Sequence, residues 1–97
     1  MNTVSGIVSI NGEISKGKGF DIKIGQKNDQ WTTFNLSLTE GENIEDYAVV
    51  CQQGPMSGGG PLVTGLRGVN LLEVTTWTQG VNPVLPAFNF IAIKDID

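Results

Sequence analysis

The chain has no histidine and a single cysteine in 97 residues. Those absences exclude histidine-based catalytic triads, zinc sites built on histidine or on several cysteines, and any disulfide within the chain. Arginine occurs once, at Arg67, and tryptophan twice. No apolar run approaches the roughly 20 residues that a membrane-spanning helix needs. The opening Met1-Asn2-Thr3-Val4-Ser5-Gly6 carries neither the basic nor the continuous apolar region of a signal peptide. The expectation is therefore a cytoplasmic protein, of the host cell if viral, with no membrane partner. No segment shows convincing 3.6-residue apolar periodicity, so the sequence predicts no substantial helix.

What is present describes one small globular domain spanning 1–97, with 39% hydrophobic and 16% charged residues and too little chain for two cores. Ten acidic residues against six basic ones give a net charge of -4. The carboxylates fall mostly at turn positions or on polar strand faces, where they are solvated. No nucleophile and base stand in a recognisable pair, and nothing implies a metal or cofactor, so the expectation is a protein that is not an enzyme. Cys51 follows Tyr47-Ala48-Val49-Val50, a setting in which a thiol acts as a small buried hydrophobe.

The clearest local pattern is Trp31-Thr32-Thr33-Phe34-Asn35-Leu36-Ser37-Leu38. Its period of two predicts a half-buried strand with Phe34, Leu36 and Leu38 facing a core. Trp31 shares the opposite face with Thr33, Asn35 and Ser37, because residues two apart in a strand point the same way. A tryptophan so placed either caps the end of a small core or offers a flat surface on which a ligand stacks.

Elsewhere, Thr3 to Ile10 predicts a first strand that ends at Asn11-Gly12, a dipeptide suited to positive φ. Glu13-Ile14-Ser15 continues it toward Lys16-Gly17-Lys18-Gly19, which reads as a basic hairpin tip. Phe20, Ile22 and Ile24 alternate inward against Asp21 and Lys23. After the polar connection 39–46, a strand is expected over Tyr47 to Cys51, then a long Gly/Pro-rich loop over Gln52 to Pro61. That loop lacks the Gly-Lys-Ser/Thr ending of a phosphate-binding loop. Leu62 to Leu66 allows a short helical turn. A long strand is expected over Gly68 to Thr78, a turn over Gln79 to Pro86, and a last strand over Ala87 to Ile93. The expected fold is all-β: a small barrel of five strands, closed or nearly so.

Of the six basic residues, Lys16, Lys18, Lys23 and Lys27 all fall in the segment just before Trp31. Lysines beside an exposed aromatic are what a single-strand binder uses, since cations neutralise phosphates while a ring stacks a base. On a glycine-rich hairpin the same lysines also serve to keep a sheet edge soluble. Thr3-Val4-Ser5-Gly6-Ile7-Val8, followed by a glycine-bearing turn and then Trp31 to Leu38, resembles the opening of OB-fold single-stranded DNA-binding proteins. Gly68 to Val74 is similar to their Gly-x-x-Val-x-Val strand. Leu85 to Lys94 resembles the last strand of the small single-stranded DNA-binding proteins of filamentous phages, and Lys16-Gly17-Lys18-Gly19-Phe20 resembles their basic DNA-binding wing. That resemblance implies an OB-like fold, single-stranded DNA as the partner, and a role in phage or plasmid replication. With the exposed aromatics added, the expected nucleic-acid-binding set is Lys16, Lys18, Phe20, Lys23, Lys27, Trp31 and Trp77. RNA is an alternative ligand. A homodimer or larger homo-oligomer is expected from the modest core and open strand edges of so short a chain. The competing reading is a structural or protein-interaction β-domain, such as a virion or assembly component, in which the tryptophans serve subunit contacts.

Overall fold

Alternation decides which faces these strands bury, and glycines decide where the chain turns. The computed structural model describes residues 2–28, 31–53, 62–77 and 86–95, with main chain only at 77 and 86. The described residues form eight strands: β1 (Asn2–Ser9), β2 (Ile14–Gly17), β3 (Phe20–Lys27), β4 (Trp31–Leu38), β5 (Ala48–Gln53), β6 (Val63–Gly68), β7 (Leu71–Trp77) and β8 (Pro86–Lys94). One turn of 3₁₀ helix spans Ile44–Asp46. Two four-stranded antiparallel sheets result, sheet I in the order β2-β1-β8-β5 and sheet II in the order β3-β4-β7-β6.

The chain is all-β, as expected, but it does not make a closed five-stranded barrel. Among the described residues no ladder joins sheet I to sheet II; the two stay open and share one core. The reason lies at Gly17 and Gly19, whose φ values of 103 and 89 take the chain out of sheet I. β2 folds back on β1, pairing Gly17 with Gly6 and Lys16 with Ile7. The segment Lys16-Gly17-Lys18-Gly19 is therefore the crossing between sheets and not a hairpin tip. The tip itself is at Asn11-Gly12, where Gly12 has φ 85.

The core lies between the inner faces. Sheet I contributes Val8, Phe88, Phe90 and Ala92, and sheet II contributes Phe20, Phe34, Leu36, Leu38, Leu72 and Val74. Phe20 meets Phe90 edge to face at 4.8 Å, and Phe34 packs on Phe88 at 5.2 Å. Each such side chain contributes about 1.5–3 kcal/mol on burial, which is how sheets without a shared ladder hold together.

Three further expectations change. The predicted strand Gly68 to Thr78 is a hairpin, β6 and β7, hinged at Val69-Asn70, with Asn70 at φ 52. Leu62 to Leu66, expected as a helical turn, is mostly β6, because pairing of Val63 with Thr75 and Leu66 with Leu72 outweighs local preference. The Gly/Pro-rich loop Gln52 to Pro61 is shortened at its start, since Gln52 and Gln53 extend β5; 54–61 and most of the turn before β8 lie outside the described residues. No helix among the described residues is long and apolar enough to cross a membrane.

Candidate functional site

Trp31 opens β4, and its main chain closes on Asn28. The Trp31 amide donates to Asn28 Oδ1 at 2.8 Å, and the Asn28 amide donates to the Trp31 carbonyl at 3.0 Å. The indole is left 38% exposed. Register sets Trp77, the last residue of β7, directly opposite it.

Behind Trp31, the outer face of sheet II is built in rows. One runs Gln26, Thr33, Thr75, Val63 across β3, β4, β7 and β6; the next runs Lys23, Asn35, Glu73, Gly65. The Thr33 and Thr75 hydroxyls share a hydrogen bond of 3.2 Å. Gly25 is the extra residue of the β-bulge between Ile24 and Gln26, and a Cβ there would sit 2.9 Å from Asn35 Nδ2. At the far side Arg67 Nη2 lies 3.0 Å from Glu73 Oε1, and Arg67 Nε donates to the same oxygen at 3.1 Å. The face thus has an aromatic end, the neutral polar residues Gln26, Thr33, Asn35 and Thr75, exposed Asp21 and Lys23 on β3, and an ion pair on the β6–β7 hairpin.

The expected residues do not all converge here. Lys23 shares the outer face with Trp31 through the rows above. Lys27 is exposed at the same end of the sheet, although its register partner Thr32 is buried, so it follows the opposite alternation. Lys16 belongs to sheet I, and Lys18 to the crossing beside Phe20. Phe20 pairs with Leu38 at the other end of β4 from Trp31, a separation of about 23 Å at roughly 3.3 Å per residue. Phe20 itself is 3% exposed, so its ring is a core ring with no face to offer a base. Trp77 is placed by register alone.

Sequence reasoning missed Gln26 and the Arg67–Glu73 pair. The pair spans the β6–β7 turn, so it becomes visible only once Val69-Asn70 is recognised as a hinge. Cys51 is half-buried, and burial pushes its thiol up to about 11, which removes thiolate chemistry at neutral pH. No group of three metal-ligating side chains occurs among the described residues.

No protein-family model matches the chain, and neither a curated protein nor a solved structure does.

Proposed function

We propose that this protein binds single-stranded nucleic acid, DNA before RNA, without catalysing a reaction, on the outer face of sheet II, and that it does so as a homodimer or larger homo-oligomer. The observation that carries the reading is the exposed indole of Trp31 on the same outer face as Lys23, with the neutral polar residues Gln26, Thr33 and Asn35 between them and Lys27 exposed at the same end of the sheet. Such a surface suits an unstacked strand: the ring accepts a base face, the lysines meet phosphates, and Gln26, Thr33 and Asn35 supply neutral hydrogen-bonding groups. The likeness of Leu85 to Lys94 and of Lys16 to Phe20 to the small phage single-stranded DNA-binding proteins adds a role in phage or plasmid replication.

The net charge of -4 predicts weak, salt-sensitive binding and none to duplex at moderate ionic strength. Titration of the protein with fluorescein-labelled oligothymidylate at low salt tests the proposal. Saturable binding with quenching of tryptophan emission is expected; no change in either signal sinks it. The protein-interaction reading has its own observation, the exposed Val63, Leu66 and Val69 of the β6–β7 hairpin at 61%, 54% and 81%.

A further inference from the structure

The two sheets turn unlike faces to solvent. Sheet II sets Asp21, Lys23, Glu73 and Arg67 on or beside its outer rows. The outer rows of sheet I read Lys16-Ile7-Asn89-Gln52, Ser5-Ile91-Val50 and Thr3-Ile93-Ala48 across the strands. None of these positions is acidic, in a chain with ten carboxylates, and the sole charge, Lys16, sits on the edge strand β2. Val50 and Ile91, direct cross-strand partners, are 67% and 41% exposed. An aliphatic row flanked by small uncharged residues is what desolvates at low cost.

Charge decides which partner this face suits. Two copies of a chain at net charge -4 repel each other, and approach through sheet II or the acidic connection 39–46 sets carboxylate against carboxylate. The three rows of sheet I just named carry no carboxylate to oppose. We infer that this face is the interface of a homodimer in which a second copy packs on it sheet to sheet. A two-fold axis along β8 places Ile91 on Ile91 and Ile93 on Ile93, lays β5 of each copy over β1 of the other, and leaves Lys16 at the rim. The strands so covered present about 400 Å² per copy by their spacing and rise, against about 800 Å² for a standard interface, so the dimer exchanges with monomer at micromolar concentrations. The inference rests on the self-association proposed above, but both outer faces of sheet II stay free in this arrangement, so its failure is distinguishable from a failure of nucleic-acid binding.

Sedimentation equilibrium of the full chain, from about 1 to about 300 μM, provides the test. The wild-type protein should fit a monomer–dimer equilibrium. Val50→Lys combined with Ile91→Lys should raise its dissociation constant at least about tenfold. Ser5→Glu combined with Gln52→Glu, which alters only exposed polar positions, should do the same should the first pair disturb folding by far-UV circular dichroism. Val63→Lys with Leu66→Lys on β6 should leave the equilibrium unchanged. A wild-type chain that stays monomeric throughout overturns the inference. So does a dimer indifferent to both sheet I pairs, or one broken by the β6 pair.

Discussion

Asn70 and Asn43 are interlocked: the Asn70 amide donates to Asn43 Oδ1 at 3.1 Å, and the Asn70 side chain in turn bonds both segments that flank Asn43. Asn70 Oδ1 accepts from the amides of Leu38 at 3.0 Å and Ile44 at 2.9 Å, while Nδ2 donates to the Leu38 carbonyl at 2.8 Å. One side chain thus fastens the end of β4, the 3₁₀ turn and the β6–β7 hairpin.

Replacing Asn70 with alanine strands three partly buried main-chain groups and puts a Cβ residue without a local side-chain bond at φ 52. The expected loss is about 2–4 kcal/mol in urea denaturation. Asn70→Gly removes the backbone strain and keeps the loss of hydrogen bonds, so it should fall between alanine and wild type. Equal stability of wild type and Asn70→Ala would show that the hub contributes nothing.

Glycines make a second, graded prediction. A Cβ at Gly6 would overlap the Phe20 ring, and one at Gly17 would overlap the Ser5 carbonyl at a φ of 103. Gly65 meets nothing within 4 Å and has no positive φ. Gly6→Ala and Gly17→Ala should each cost more than about 2 kcal/mol or abolish folding, while Gly65→Ala should lie within about 0.5 kcal/mol of wild type. Thermal melts of the three variants give the order directly.

These positions also show how much was legible in the sequence. The inward set Phe34-Leu36-Leu38 follows from period two alone, as does Phe20 facing inward, whereas Ile24, read as inward by the same alternation, is exposed. The hinge at Val69-Asn70 does not, because Asn70 owes its conformation to partners 26 to 32 residues away, not to a neighbouring glycine. The crossing at Lys16 to Gly19 has the composition of a hairpin tip, and only the stacking of Phe20 on the Gly6–Gly17 pair distinguishes the two. For the candidate site, alternation put Trp31 with Thr33 and Asn35 correctly. It could not show that Lys16 belongs to sheet I and Lys18 to the crossing between the sheets, since that depends on the sheet switch.

Cys51 yields a pH prediction. Desolvation raises its thiol from 9.0 to about 11 in the folded protein, so above pH 9 the unfolded chain releases this proton first. Between pH 9 and about 11 the unfolded state binds fewer protons than the folded one, and stability falls as pH rises. The urea midpoint should therefore drop more steeply over that window in wild type than in Cys51→Ala, the difference isolating the thiol from Tyr47 and the lysines. Parallel curves would remove the buried-thiol account.

Binding to single strands, if it occurs on sheet II, separates into two measurable contributions. Stacking is worth roughly 1–3 kcal/mol per base, so Trp31→Ala should weaken binding by about one to two powers of ten with little change in salt dependence. Lys23→Ala and Lys27→Ala should each lower the slope of log affinity against log salt by about 0.7, because each removes a cation that displaces counterions from a single strand. Lys16 and Lys18 differ by position. Lys18 adjoins Phe20, whose partner Leu38 stands about 23 Å from Trp31 along β4 at roughly 3.3 Å per residue, and Lys16 lies on sheet I, so oligothymidylate of about 4 nucleotides at Trp31 stops short of them while about 16 nucleotides extends to them. Lys16→Ala and Lys18→Ala should accordingly be silent with the short strand and lower the slope with the long one. A length-independent effect of all four lysines would mean diffuse attraction to the whole molecule. Unmoved Trp31 emission, with every lysine variant silent at low salt on the long strand, would leave sheet II without a nucleic-acid role and favour the protein-interaction reading.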